Sequence, residues 1–298
     1  MKIKILTLLF LGVMLLPNCI SAEEIYTNAN GIKMSINDIN NLKDAGFNEE
    51  EIEIMDENLY LEFNTEDYQI ISSTKKYIKT TIYFDGEIEN PNSKPIHEIN
   101  EEVSEEEYNS ATESIQSRGI CGSVSTTYKL LTSDIVRDSA NNRYNYKATL
   151  TWKKMPKVRK YDIIGIGIDG DVSVVGSATT FRNSVKYSDG STAYKSSATE
   201  TRISSTGIAK YFKLYEDTSS KTVSSMVITM IAPVIKRTDS KIKVLNNYAD
   251  YSHCVKAVAF DTLDVGVSAF GISFGGSASV PEYDSMSTAQ AIADGLNW

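Results

Sequence analysis

The pattern of apolar and polar positions changes character twice along the chain. It begins with an apolar run free of charge, Ile5 to Leu16, preceded by Lys2 and Lys4, broken by Pro17, and followed by Ser21-Ala22 before Glu23. A positive start, a short apolar core and a small-residue cleavage zone make residues 1–22 a secretory signal peptide. The run falls short of the roughly 20 residues of a spanning helix, and no later stretch reaches that length. No integral membrane segment is therefore expected after the signal is removed.

From Ser35 the spacing becomes helical. Ser35 is followed three positions on by Asp38, and Ile39 and Leu42 then recur at helical intervals. Gly46 suits a helix end, where a positive φ costs it little. Asn48 precedes Glu49, Glu50 and Glu51, so a second short helix starts with acids that complement its exposed N–H groups. Ile52 and Met55 share a face and can pack with Leu42 and Phe47. "KKYIKTTIYFDGEI", Lys75 to Ile88, then reads as a strand and turn. Glu98 to Gly119 is acidic and partly helical.

Beyond Gly119 the period falls to two. Tyr144, Tyr146, Ala148, Leu150 and Trp152 alternate with Asn145, Lys147, Thr149, Thr151 and Lys153, the mark of a half-buried strand. Tyr161 to Ile168 is a second strand, and Val223 to Val234, apolar on both faces, is a central one. Thr262 to Phe274 alternates again. Asp169-Gly170, Asp189-Gly190 and Gly207 supply turn signals between strands. The expected fold class is α+β: a small α-rich N-terminal region followed by an antiparallel β-sandwich. The expected division is a signal peptide at 1–22, an acidic, mainly helical region at 23–118, and a β-sandwich domain at 119–298.

Charge follows the same division. Residues 23–118 hold 23 acidic and 7 basic residues, whereas residues 119–298 hold 16 acidic and 21 basic ones. Either the front screens the back, or a solvated helical segment simply precedes a sheet domain. The basic excess concentrates between two expected strands, where Lys153, Lys154, Lys157, Arg159 and Lys160 surround Pro156. Such a cluster can hold an anionic cell-wall polymer, a glycan or a lipid surface by charge attraction. It can equally be a solvated hairpin tip whose lysines blunt an edge strand. Trp152 and Tyr161, on either side, are expected to face the core. The acidic total and exported address point away from nucleic acid.

Two cysteines follow the signal, Cys121 and Cys254. In an oxidising compartment they can form a disulfide worth about 4–5 kcal/mol for so long a loop, or stay as buried thiols. Cys19 lies in "LPNC", a faint lipobox match with Asn18 where a small residue belongs. The expected localisation is secreted, with lipid anchoring at the cell surface through Cys19 as the alternative.

Other chemistry is thinly represented. The two histidines and two cysteines lack metal-ligand spacing. Asp169-Gly170-Asp171 lacks the rest of a calcium loop and reads as a turn. "GIGIDG" lies in a strand with no helix behind it, so it is no dinucleotide fingerprint. His253 and Cys254 are neighbours on an expected strand and point to opposite faces, so His253 is poorly placed to activate that thiol. It is expected to be structural, bonded to backbone or to a tyrosine hydroxyl. No metal, cofactor or catalytic residue is expected, and the expected function is non-enzymatic.

The ordered set "LKDAGFNEEEIEIM", "KKYIKTTIYFDG", "EEYNSA", "TWKKMPKVRKYDIIGI" and "YADYSHCVKAV" resembles a family of secreted proteins from Gram-positive bacteria. The resemblance implies a signal peptide, an acidic helical front and a β-rich back, and carries over no activity. That family often has a small residue where this chain has Cys254, which sets this thiol apart. The leading expectation is an exported extracellular or surface-associated binding protein. The alternative is a toxin-like, membrane-active protein whose acidic front is a pro-segment released near Arg118.

Overall fold

The computed structural model describes residues 25–86, 95–111, 123–157, 159, 161–256, 264–268, 271–275, 282–283 and 287–298. The expected signal peptide, Cys19, the expected boundary at 118–119, Arg118, Cys121 and Lys160 lie outside the described residues.

A short ribbon, β1 (Tyr26–Thr27) and β2 (Lys33–Met34), leads into α1 (Ile36–Asp44), α2 (Glu49–Glu53) and α3 (Glu57–Phe63). Then come β3 (Tyr68–Phe84), β4 (Pro95–Glu102) and α4 (Glu105–Ser110). The next strands are β5 (Val124–Asp138), β6 (Arg143–Lys154), β7 (Tyr161–Ile168), β8 (Val172–Val174), β9 (Thr180–Tyr187) and β10 (Thr192–Lys195). They are followed by β11 (Glu200–Ser204), β12 (Gly207–Lys213), β13 (Val223–Lys236) and β14 (Leu245–Lys256). The last are β15 (Asp264–Ser268), β16 (Gly271–Gly275), β17 (Glu282–Tyr283) and β18 (Ser287–Ala293).

The helices end where the chain chemistry says they should. Ser35 and Asp38 form a reciprocal capping box on α1, and Asn48 and Glu51 do the same on α2; each satisfies donors that a helix start leaves unpaired. Gly46 turns the chain between them at φ +90°. Leu42, Phe47, Ile52, Met55, Leu59 and Phe63 form one apolar cluster, to which β13 contributes Ile231.

The strands form two principal antiparallel sheets. In the larger, the order is β10-β9-β13-β6-β5-β3-β4, with β8 on β13. In the smaller it is β11-β12-β7-β14-β17, with β18 also on β14. Apolar residues from both, including Leu131, Leu150, Trp152, Ile164, Ile228 and Tyr251, pack as one core. β13 runs between β6 and β9, as its two apolar faces require. The long strands shift register at Ile70/Ser72 on β3 and at Tyr128/Lys129 on β5; such bulges bend and twist a strand.

Two expectations are corrected. The front of the chain is not mainly helical: β3 has 17 residues and pairs with β5 from Tyr68↔Asp138 to Tyr83↔Val124. Strands from either side of the expected boundary therefore share one sheet. The reason lies in Tyr77 to Phe84, where the β-prone residues needed to pair with β5 sit within an otherwise acidic segment.

The polar face of β6 is not solvated either. Lys147, Thr149 and Thr151 are all buried, because α1 to α3 cover that face. Lys147 Nζ donates to Glu51 Oε2 at 2.8 Å, to the Gly46 carbonyl at 2.8 Å and to Thr149 Oγ1 at 2.7 Å. Glu51 Oε1 accepts from Thr149 at 3.1 Å and Thr229 at 2.7 Å. Arg182 Nε donates to Asp56 Oδ2 at 2.7 Å, and Lys186 pairs with Glu53. The helical layer is thus fastened to the sheet by charge-assisted hydrogen bonds, which are shorter and stronger than neutral ones.

Candidate anion-binding groove

The basic connection links β6 to β7, and these strands belong to different sheets. It crosses from one sheet to the other. Both strands are central: β6 lies between β13 and β5, and β7 between β12 and β14. The hairpin-tip expectation is therefore corrected, since no edge is present there for lysines to blunt.

The crossing leaves a groove of about 760 Å³ at one end of the larger sheet. Lys153, Lys154, Lys157 and Arg159 line it, opposite the start of β5 at Ser125 and Thr126. Ser188, Asp217, Thr222 and Ser224 supply the remaining polar wall. Pairing fixes this arrangement, because Met226↔Trp152 on β13 and β6 brings Ser224 beside the end of β6. Lys153 and Lys157 are exposed and Lys154 is half-buried.

Arg159 plays a different part from the lysines. Its Nε donates to the Pro156 carbonyl at 2.9 Å, and its Nη1 donates to Asp217 Oδ1 at 2.6 Å. The same Asp217 oxygen accepts the Val223 amide at 2.7 Å. Burial tends to raise the Asp217 carboxyl, but the Val223 and Arg159 hydrogen bonds and the charges of Arg159 and Lys157 outweigh it and hold it below its ordinary value. Arg159 therefore buttresses the crossing and is already paired, while Lys153 and Lys157 present charge to solvent. Trp152 is buried as expected, and half-buried Tyr161 stacks on Tyr211 with ring centroids 4.8 Å apart.

The structure brings His253 and Cys254 to a buried part of β14. His253 Nδ1 is 2.9 Å from Asp162 Oδ1, which also accepts the Cys254 amide at 3.2 Å. The Tyr251 hydroxyl donates to the other Asp162 oxygen. One partner of His253 is thus a carboxylate on β7, which gives it the structural place expected of it on a buried strand. Buried Lys129 lies 5.7 Å from the Trp152 ring centre and 5.4 Å from that of Tyr251, within cation–π range. Sequence reasoning missed Asp162 and Lys129, because each sits at an ordinary strand position with no local signal of burial. Among the described residues no group of three His, Cys, Asp or Glu side chains is arranged to hold a metal ion. Asp169, from the calcium-like turn, accepts from Asn246 at 2.9 Å.

No protein-family model matches the chain. No curated protein matches it either. A solved structure described as "AvmM Catalyzes Macrocyclization in Alchivemycin A Biosynthesis" is similar at 8% identity and a TM-score of 0.23, over 49% of this chain and 78% of that one. A TM-score of that size carries no argument about fold or activity. What the structure itself defines is a class, an α+β protein of antiparallel sheets with four short helices among the described residues.

Proposed function

We propose that the protein is an exported, non-enzymatic, surface-associated or extracellular binding protein whose contact is the basic groove. In this reading the two sheets form a β-sandwich that serves as the scaffold. The observation that carries it is the gathering of Lys153, Lys154 and Lys157 around one groove at the end of the larger sheet, with hydroxyl groups opposite. Lys153 and Lys157, exposed to solvent, converge with half-buried Lys154 on a concave surface, which suits a polyanion, whose charge is repeated and whose attachment is screened by salt. The hydroxyl wall adds hydrogen bonds suited to phosphodiester or carboxylate oxygens. The resemblance to secreted proteins of Gram-positive bacteria favours a cell-wall polymer as the polyanion, with an anionic glycan or lipid surface meeting the same chemistry. The test is binding of the mature protein to a glycerol-phosphate polymer and to phosphatidylglycerol vesicles, for the native groove and for Lys153→Gln/Lys154→Gln/Lys157→Gln. Loss of salt-sensitive binding in the variant supports the reading; undiminished binding removes it.

A second reading, membrane action, is favoured by one specific observation. β15 and β16 pair only with each other in the described sheets, as a separate two-stranded ribbon. Their register sets Val265 against Phe274 and Val267 against Ile272, with Gly266 opposite Ser273 between them. Alternating apolar and small residues with no charge between Val265 and Ser279 is the pattern of a strand pair facing lipid on one side. Against a released pro-segment stands the β3–β5 pairing, since removing residues 23–118 would uncover a long edge of β5. Dye release from vesicles that disappears in Val267→Asp is the outcome this reading requires; intact vesicles under all conditions eliminate it.

A further inference from the structure

A second cavity, of about 480 Å³, opens on the opposite chemical principle. It lies between α2, α4, β3 and β5 and falls in the size range of ligand sites, roughly 300–1,000 Å³. Its carboxylates are Glu49, Glu50, Glu51, Glu105 and Asp134, and its aromatic walls are Phe47, Tyr77 and Tyr108. Two of those acids are already matched by lysines: Lys43 reaches Glu49 at 3.1 Å, and Lys147 reaches Glu51 at 2.8 Å.

Asp134 is the informative member. Its side chain is 2% exposed, and Oδ1 accepts from Ser73 at 2.6 Å. Asp134 is among the residues lining the cavity, and its buried Oδ2 has no hydrogen-bond donor; Lys147 Nζ is ion-paired with it at 3.7 Å but gives its hydrogen bonds to Glu51, Gly46 and Thr149. The buried Thr132 hydroxyl, two residues earlier on β5, also lacks a hydrogen-bond partner. Buried polar groups are nearly always satisfied, so two such atoms, both on residues that line one cavity, call for an explanation. Gly46 leaves the space open: a Cβ there would stand 3.3 Å from Val136 Cγ2 and 3.5 Å from Asp134 Oδ2.

We infer that this cavity binds a primary ammonium group on an apolar stem. The three N–H donors of an ammonium match the open oxygens of Asp134 and Thr132 and the carboxylate of Glu50 at the mouth. Phe47, Tyr77 and Tyr108 offer ring faces and edges to the stem and its cationic head. Among the described residues the acids are spread along different elements and form no metal-ligand set, which favours an organic cation. The ammonium can belong to a free amine or to a lysine side chain of a polymer; the head-group chemistry is the same.

The environment of Asp134 agrees. Burial raises its carboxyl, partly opposed by Lys147, by the Ser73 hydrogen bond and by Lys75, and the result is about 6. The groups facing it are Ser73 and Lys75 from β3, Glu51 from α2 and Lys147 from β6. With Asp134 ionised, Lys147 balances only one of two buried carboxylates, and an added cation balances the other. Binding should therefore weaken as pH falls through about 6.

The experiment is calorimetry on the mature protein with n-pentylammonium, n-pentanol and tetramethylammonium, followed by a lysine-containing peptide with blocked termini. Expected is saturable binding of pentylammonium, at least about tenfold stronger than pentanol, each decade being about 1.4 kcal/mol. Glu50→Gln, at an exposed position that should not disturb folding, weakens it about tenfold, and Lys75→Gln strengthens it. Saturable binding of the peptide assigns the source to a polymer; binding of pentylammonium alone assigns a free amine. Equal binding of pentanol, no binding of pentylammonium, or affinity unchanged in Glu50→Gln overturns the inference.

Discussion

The two faces of β6 and β13 differ in what holds them. On the inner face, Tyr146, Ala148, Leu150, Trp152, Met226, Ile228 and Met230 meet the smaller sheet through apolar packing. On the outer face, Lys147, Thr149 and Thr229 meet the helical layer through a buried ionic network closed by Glu51. Apolar packing tolerates small changes because its cost scales with the volume lost. A buried ion network fails abruptly, because deleting one member strands the charge of another. The faces should therefore answer mutation in different ways.

The largest expected effect is at Lys147. Lys147→Met leaves Glu51 buried without its cation, removes the ion pair at Asp134 as well, and should cost about 3–5 kcal/mol in chemical denaturation. Replacing all three together, Lys147→Met/Glu51→Leu/Asp134→Leu, should recover much of that loss; an equal or greater loss in the triple variant would break the comparison. Next, Leu150→Ala on the inner face should cost about 2–5 kcal/mol through the cavity it opens, with a neighbouring alanine change adding in proportion to volume.

A smaller effect is a dependence on pH. The folded Asp134 carboxyl holds its proton up to about 6, whereas an unfolded one releases it near about 3.9. Between those values the folded state binds more protons, so the Asp134 contribution to stability is full at the acid end and is lost as pH rises from about 4 to about 6. Asp134→Asn should remove that part of the slope, which melting profiles across the window would reveal. Smallest is the α1 cap: Ser35→Ala should cost about 1 kcal/mol and loosen the helical layer before either sheet, seen as earlier amide exchange in residues 36–44.

Local signals carried much of the fold. Ser35, Asn48 and Gly46 marked the helix ends because capping is decided within a few residues. Val223 to Val234 announced a central strand because both its faces are apolar. The smaller sheet's role was less legible, since Tyr161 to Ile168 and Leu245 to Lys256 look alike whichever sheet they join. The polar face of β6 misled: period-two alternation says that two faces differ and does not say that the polar one is wet. Lys147 looks like any surface lysine until Glu51, distant in sequence, is seen over it. Of the groove, the cations were legible as a run around Pro156. Arg159's engagement by Asp217 was not, because that contact depends on how β12 leads into β13. The ammonium cavity left no local trace, being assembled from separate helices and strands.

The most direct test of the central proposal is the affinity of the mature protein for a glycerol-phosphate polymer, compared between the native groove and Lys153→Gln/Lys154→Gln/Lys157→Gln. With each lysine contributing about 1 kcal/mol near an anionic surface, the variant should bind about a hundredfold more weakly at low salt. The two should converge near 1 M salt, where screening shortens the reach of charge to about 3 Å. Equal affinity at low salt, or native binding that survives at 1 M, would contradict the groove as the site of contact.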